Sequence, residues 1–186
     1  MKKGPGKHGV SRAEWLQAAA KILESHSIAD VKIESLARAL DISKSGFYWH
    51  FKNRDDLLDH LLNYWSHEVT EVITENPKLL ELEPVNRLCR IAEIILDYDL
   101  VRYDIGIRQW ALSNEKVAEV VASVNQKRMD FVGGALQELG FSGEDLEMRT
   151  LLFACYHSCE SLMFREIPPE RRRLLIEKRV ALITSR

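Results

Sequence analysis

Ser43-Lys44-Ser45-Gly46-Phe47-Tyr48-Trp49-His50-Phe51-Lys52 is the stretch from which the rest of the chain can be ordered. Phe47 and Phe51 stand one helical turn apart, so both face the same side of a short helix predicted over about 44–50. Ser43 is placed to cap it. Before it, Ile33, Leu36, Ala37 and Leu40 recur at helical spacing and predict a helix over about 33–40. Asp41-Ile42-Ser43 breaks the two apart, and two short helices joined by a three-residue turn form a helix-turn-helix.

Working outward, Ser11 and Glu14 form a capping box that opens a first helix ending near His26. Its buried stripe is Trp15, Ala18, Ala19, Ile22 and Leu23. Residues 1–10, rich in lysine and glycine, read as a flexible basic arm. After Asn53 a longer helix begins with Asp55 and Asp56 in its first turn, where the helix dipole favours anions, and runs to about Glu75 before Pro77 stops it. Further helical periodicity covers about 84–101, 103–112, 115–139, 143–165 and 168–184. Ser142 with Asp145, and Pro168-Pro169 with Glu170, mark helix starts, and Gly140 marks a stop. No strand pattern occurs, so the expected fold is all-α with about nine helices.

The chain has 186 residues, enough for one large domain or two small ones, and only nine glycines and five prolines, which suits long helices. Its net charge of −2 conceals an asymmetry. Residues 1–54 hold ten basic and five acidic side chains, whereas the remainder holds 16 and 23. A basic module that meets a polyanion is thus joined to a larger acidic one, with the division expected between 1–54 and 55–186. No apolar run approaches the 18 residues of a membrane span, and no apolar stretch follows the basic N-terminus as in a secretory signal. Three cysteines, Cys89, Cys155 and Cys159, form no disulfide framework and fit a reducing compartment. The expected location is the cytoplasm.

A helix-turn-helix places its second helix in the major groove of DNA, with base edges met near the helix N-terminus and phosphates gripped by flanking donors. Lys44 and Ser45 are the candidates for base edges, since Lys donates to guanine and Ser to several bases. Ser43, Tyr48, Trp49, His50, Lys52 and Arg54 are candidates for the backbone, and Gly46 removes a side chain where helix and groove must come close. Phe47 and Phe51 are core.

These residues resemble a known family. Leu36-Ala37, then Asp41 through Lys52, then Asn53-Arg54-Asp55-Asp56-Leu57-Leu58, are similar to the signature of the tetracycline-repressor (TetR) family of transcriptional regulators. The match covers about residues 11–65. The resemblance implies a homodimer, a three-helix DNA-binding head, a palindromic double-stranded operator, and a helical body whose pocket takes a small-molecule ligand that releases the DNA. Repression is the expected sign of regulation. Lys32 stands where the family usually has a Thr or Ser that caps and touches phosphate; Lys can meet phosphate but cannot cap. Asp41 replaces the usual turn glycine, and Asp tolerates the left-handed conformation better than most residues.

In the body, aromatic and polar residues gather as pocket candidates: Trp65, Tyr98, Tyr103, Arg108, Trp110, Phe131, Tyr156 and Met163, with His157 among them. Asp97, Asp99 and Asp104 are charges near apolar helices, and the acidic balance hints at a cationic ligand. Residues 151–164 and Leu174, Leu175, Ile176, Val180, Leu182 and Ile183 carry more apolar surface than one buried face needs, so the last two helices are expected to dimerise.

No catalytic constellation stands out. Cys155 and Cys159 share a helix face but His157 lies on another side, so no zinc set forms, and His67-Glu68 lacks the second histidine of the zinc-protease motif. No cofactor or metal is expected, and no enzymatic activity. The alternative is a helical ligand-binding or scaffold protein whose N-terminal module binds a protein partner.

Overall fold

The computed structural model describes residues 9–164 and 166–186. The basic arm expected over 1–10 therefore lies, apart from Gly9 and Val10, outside the described residues. Among those described the chain is all helical.

The first helix, α1 (Arg12–Ile22), starts as the sequence dictates: Glu14 N–H donates to Ser11 Oγ, and Glu14 Oε2 accepts from Ser11 N–H at 2.7 Å. Its inward face is Trp15, Ala19, Ala20 and Leu23, all but free of solvent. It ends earlier than expected. Ser25-His26-Ser27 offers short polar side chains that compete for the backbone, and Ser27 N–H and Oγ both donate to Asp30 to fix a tight turn at Ile28–Asp30.

Helix α2 (Ile33–Ala39) has Lys32 at its N-cap with no side-chain bond, as a residue without an acceptor requires. Asp41 then takes φ 54°, supplying the left-handed residue of the turn. The segment Lys44–Trp49 departs from expectation. It is a 3-10 helix, not an α-helix, and Ser43 Oγ bonds Ser45 Oγ at 2.7 Å without capping the backbone. Six residues that include a glycine form 3-10 bonds such as His50 N–H to the Phe47 carbonyl at 2.9 Å, and an α-type bond, Phe51 N–H to the same carbonyl at 3.0 Å, appears at the end of the segment.

Asn53 caps α3 (Arg54–Ser66) through Asp56 N–H at 2.9 Å. The helix continues, without leaving the helical path, into a π-helical turn (His67–Glu71) and then α4 (Val72–Thr74). The sequence had no signal for that irregularity. A short α5 (Pro77–Leu80), also unanticipated, is capped by Asn76. The body follows as α6 (Pro84–Tyr98), α7 (Asp104–Ala111), α8 (Glu115–Glu138), α9 (Gly143–Met163), α10 (Pro169–Leu174) and α11 (Ile176–Thr184). Asp99, at φ 45°, ends α6 before residue 101, and the single helix expected over 168–184 is broken at Leu175. Ser142 occupies the N-cap of α9 but forms no side-chain cap bond.

Two buried clusters hold this array. One unites Trp15, Leu36, Phe47 and Phe51 of the head with Leu57, Leu61 and Trp65 of α3 and with Ile107, Val117 and Val124 of the body. The other joins Ile73, Leu88, Ile91, Val132, Leu136, Phe153, Ile176 and Val180. Packing thus crosses Arg54, the point where the charge changes sign. The tightest approach is at Gly106 in α7, where a Cβ would lie 2.8 Å from Leu23 Cβ and 2.9 Å from the Leu23 carbonyl oxygen. Only glycine lets α7 sit against the end of α1 this closely.

Candidate nucleic-acid interface and ligand cavity

The head turns one polar face outward. Lys32, Ser43, Lys44, Ser45, Tyr48, Trp49 and Lys52 are all exposed on it. Trp49 is 87% accessible and Tyr48 61%, too open for residues serving the protein's own core. Lys44 Nζ rests on Glu34 Oε1 at 2.6 Å, a surface pair weak enough to exchange for another anion.

Three of the ten sequence candidates are placed differently. Gly46 is half-buried, and a Cβ there would come 3.3 Å from Ile42 Cδ1, so the missing side chain serves packing within the turn. Arg54 spends its guanidinium on the carbonyls of Val31, at 2.7 Å, and Ile28, at 2.5 Å, tying the start of α3 to the turn before α2. His50 Nε2 donates to the Val10 carbonyl at 2.8 Å and anchors the chain entering α1. One cation was missed. Arg12 stacks over Phe51 at 5.2 Å and contacts His60, sharing a shallow cleft with Tyr48, Trp49 and Lys52. Its signal was its place in the first turn of a helix whose dipole it does not suit.

A second site lies inside the body. Thr70, Ile73 and Thr74 from the end of the α3–α4 path, Ile91 and Ile95 of α6, Leu100 and Val101, Arg128, Phe131 and Val132 of α8, and Phe153, Ala154, His157 and Ser158 of α9 enclose a cavity of about 60 Å³. A water needs roughly 10–15 Å³ by this measure and a benzene-binding cavity about 150 Å³, so the space is narrow.

Arg128 supplies the charge at its wall, facing the carboxylate of Asp104. Its guanidinium donates to Asp104 at 2.8 and 3.4 Å and to Thr70 Oγ1 at 3.1 Å. Asp104 is buried and also accepts from Trp65 Nε1 at 2.8 Å, with Arg108 3.5 Å away. His157 is 3% exposed, and its Nδ1 has no hydrogen-bond partner among the described residues. Burial, reinforced by the nearby Arg179 cation, pushes its pKa down to about 3, so the ring is neutral and its 3.8 Å approach to Glu160 is no ion pair. Glu160 instead accepts from the Tyr156 hydroxyl at 2.9 Å.

Of the sequence-derived pocket candidates, only Phe131 and His157 reach this wall. Trp65 and Tyr103 are core beside the head, Trp110 packs against the same cluster, and Arg108 bonds Asn125 at 2.9 Å. Tyr98 and Met163 are 64% exposed, and Tyr156 is committed to Glu160. Asp97 pairs with Arg173, Asp104 pairs with Arg128 and Arg108, and none of Asp97, Asp99 and Asp104 lines the cavity.

Residues 16–61 match the family model of the bacterial regulatory proteins of the TetR family. Over those residues the chain is similar to the DNA-binding head of the TetR family. The matched segment runs from α1 through the outward face to the middle of α3. Solved structures with the same overall TetR fold include a transcriptional regulator from Rhodococcus sp. Rha1 (14% identity, 94% of this chain and 96% of that one, TM-score 0.71). Another is the transcriptional regulator FadR from Bacillus subtilis in complex with stearoyl-CoA (15%, 94% and 98%, TM-score 0.70). A third is the TetR family transcriptional regulator PfmR from Thermus thermophilus (22%, 94% and 95%, TM-score 0.66). At these identities they establish the fold of head and body together. A comparison with curated proteins gives no match.

Proposed function

We propose that the chain is a homodimeric, cytoplasmic transcriptional repressor, without enzymatic activity, that binds a palindromic operator through its head and leaves it when a small molecule enters the body. One observation supports the coupling above all: the helical path that starts at the Asn53 cap, beneath the recognition segment, ends as a wall of the cavity at Thr70, Ile73 and Thr74. With so little space inside, a ligand of useful size displaces a wall, and this wall leads to the head. FadR of Bacillus subtilis, which has the same fold, is in complex with stearoyl-CoA, which supports ligand binding here.

In the head, Lys44 and Ser45 read bases, while Lys32, Ser43, Tyr48, Trp49 and Lys52 hold the phosphate backbone, with Arg12 added to them. Arg54, His50 and Gly46 shape the unit that carries them. For dimerisation, Met148, Leu151, Leu152, Leu162 and Met163 of α9 and Leu182 of α11 are apolar side chains exposed to solvent in the single chain. Surface of that extent favours association. Two heads spaced by such a dimer meet successive major grooves about 34–36 Å apart.

The scaffold alternative has its own support in Trp49, since an exposed indole is a frequent anchor at protein interfaces. Titration of the purified protein against the DNA upstream of its own gene separates the two. The repressor reading expects binding that weakens steeply with salt; a scaffold shows no preference for that DNA over random sequence.

A further inference from the structure

Arg172 of α10 is a half-buried cation that no carboxylate answers among the described residues, and its Nε is buried without a hydrogen-bond partner. Next to it, Arg179 reaches the Arg172 carbonyl at 3.4 Å and Glu160 at 3.6 Å and keeps Nε and Nη2 unpaired. Glu160 also accepts from Tyr156, so guanidinium donors here outnumber the acceptors offered to them. Charged donors left unpaired away from water are costly, and a bound anion relieves that cost.

Arg172 lines an open cleft of about 540 Å³, and Arg102 is the other cation on its wall. Ser158 and Ser161 of α9 add hydroxyls, while Leu96 and Ile105 give the cleft an apolar side. Val101 and Ser158 line this cleft and the inner cavity alike, so the two spaces meet there. Two carboxylates share the cleft. Glu24, just past α1, faces Arg102 at 3.9 Å across the junction of head and body, and Asp99 is exposed at the end of α6. Neither forms an ion pair with Arg172.

Resting on the reading of the body as a ligand-binding unit, we infer that the cleft admits an amphipathic anion. Its carboxylate- or phosphate-type head is held by Arg172, with Arg102 and the two serines beside it, and its slender hydrocarbon chain passes Val101 and Ser158 into the cavity. A guanidinium fork matches the paired oxygens of either head group. The cavity walls are mostly Ile, Leu, Val and Phe, which suits hydrocarbon, and their narrow spacing selects an unbranched chain. On that wall, too, cations exceed carboxylates, since Arg128 and Arg108 share Asp104. An ammonium head finds Arg172 where it needs an anion. Because Glu24 belongs to the head, an anion that competes with it for Arg102 touches head and body at once.

The test titrates the full chain by calorimetry with octanoate, octyl phosphate, 1-octanol and octylammonium, probes of one chain length used below micelle formation. Both anions are expected to bind at least about tenfold more tightly than 1-octanol, the worth of a charge-assisted hydrogen bond, and octylammonium most weakly. Arg172→Gln is expected to lower both anions by about tenfold or more and to leave 1-octanol within about twofold; Arg172→Lys keeps part of the preference as a point charge. Arg90→Gln, an exposed arginine outside the cleft, leaves all four unchanged. Since Arg172→Gln removes an unpaired charge, its melting temperature is expected to hold or rise.

Binding of 1-octanol or octylammonium as tight as the better anion, no binding of either anion, or an anion preference that survives Arg172→Gln overturns the inference. The wild-type probe order decides it even if a variant fails to fold, and the tighter of the two anions identifies the head group. Titration of upstream against random DNA without probe tests the repressor reading on its own. Absence of DNA preference with the expected probe order sinks that reading alone, whereas specific DNA binding with the wrong probe order sinks this inference alone.

Discussion

Arg128 on the cavity wall donates two hydrogen bonds, at 2.8 and 3.4 Å, to the buried carboxylate of Asp104, which also receives the indole N–H of Trp65 from α3. One carboxylate thus ties α8, α7 and the helix below the head together. Asp104→Asn leaves the partly buried Arg128 without its counter-charge, and the expected cost is about 3 kcal/mol, a large share of a typical domain's stability. Urea unfolding checks this. Arg128→Met combined with Asp104→Asn is expected to recover much of the loss, because the cation that remains, Arg108, reaches solvent.

Gly106 is where the body touches the head most closely. Alanine gains up to about 1 kcal/mol of helix propensity but sets a Cβ against the backbone of Leu23, where overpacking costs about 1–3 kcal/mol. Backbone cannot yield as a flexible side chain does, so overpacking wins. Gly106→Ala is expected to lower the melting temperature and the affinity for operator DNA together, whereas an exposed control such as Glu119→Ala changes neither.

Arg54 and Lys44 are expected to separate. Arg54→Ala removes two charge-assisted bonds to backbone carbonyls and loses about 2 kcal/mol of stability, seen in thermal melts. Lys44→Ala leaves the melt within about 0.5 kcal/mol, because it breaks only an exposed pair, but weakens operator binding and relaxes base preference. A melt changed as much by Lys44→Ala as by Arg54→Ala contradicts the assignment.

His157 gives a pH signature. Its folded pKa of about 3 lies below the ordinary value of 6.5, so between these values the unfolded chain binds a proton that the folded chain refuses. The His157 contribution is therefore fully present above pH 6.5 and is lost as pH falls toward 3, at up to about 1.4 kcal/mol per pH unit. The difference in unfolding free energy between wild type and His157→Phe, followed from pH 7 to 5, is expected to show this slope. A constant difference contradicts a buried neutral ring.

Leu152 and Leu182 are 55% and 75% exposed in the single chain. Changing both to Glu is expected to convert dimers to monomers in sedimentation and to weaken operator binding steeply, since both heads must engage one site.

The head was largely legible from sequence because its signals are local. Ser11 with Glu14, Asn53 with Asp56 and the Phe47–Phe51 spacing each act within one or two helical turns, and the capping bonds form as the spacing requires. The body was legible in its elements but not in its cavity. Aromatic residues at helical spacing look alike whether they meet the core, as Trp65 does, solvent, as Tyr98 does, or a cavity, as Phe131 does. Which it is depends on the rotation of neighbouring helices, a tertiary property. The same holds for Asp104, whose burial depends on Arg128, 24 positions away. The π-helical turn at His67–Glu71 left no mark either, since helix formers populate both geometries.

The most direct measurement of the central claim is fluorescence anisotropy of labelled upstream DNA titrated with the full chain at several salt concentrations. The account predicts affinity at least about a thousandfold above random DNA and a steep decline as salt rises. Equal affinity for random and upstream DNA contradicts it.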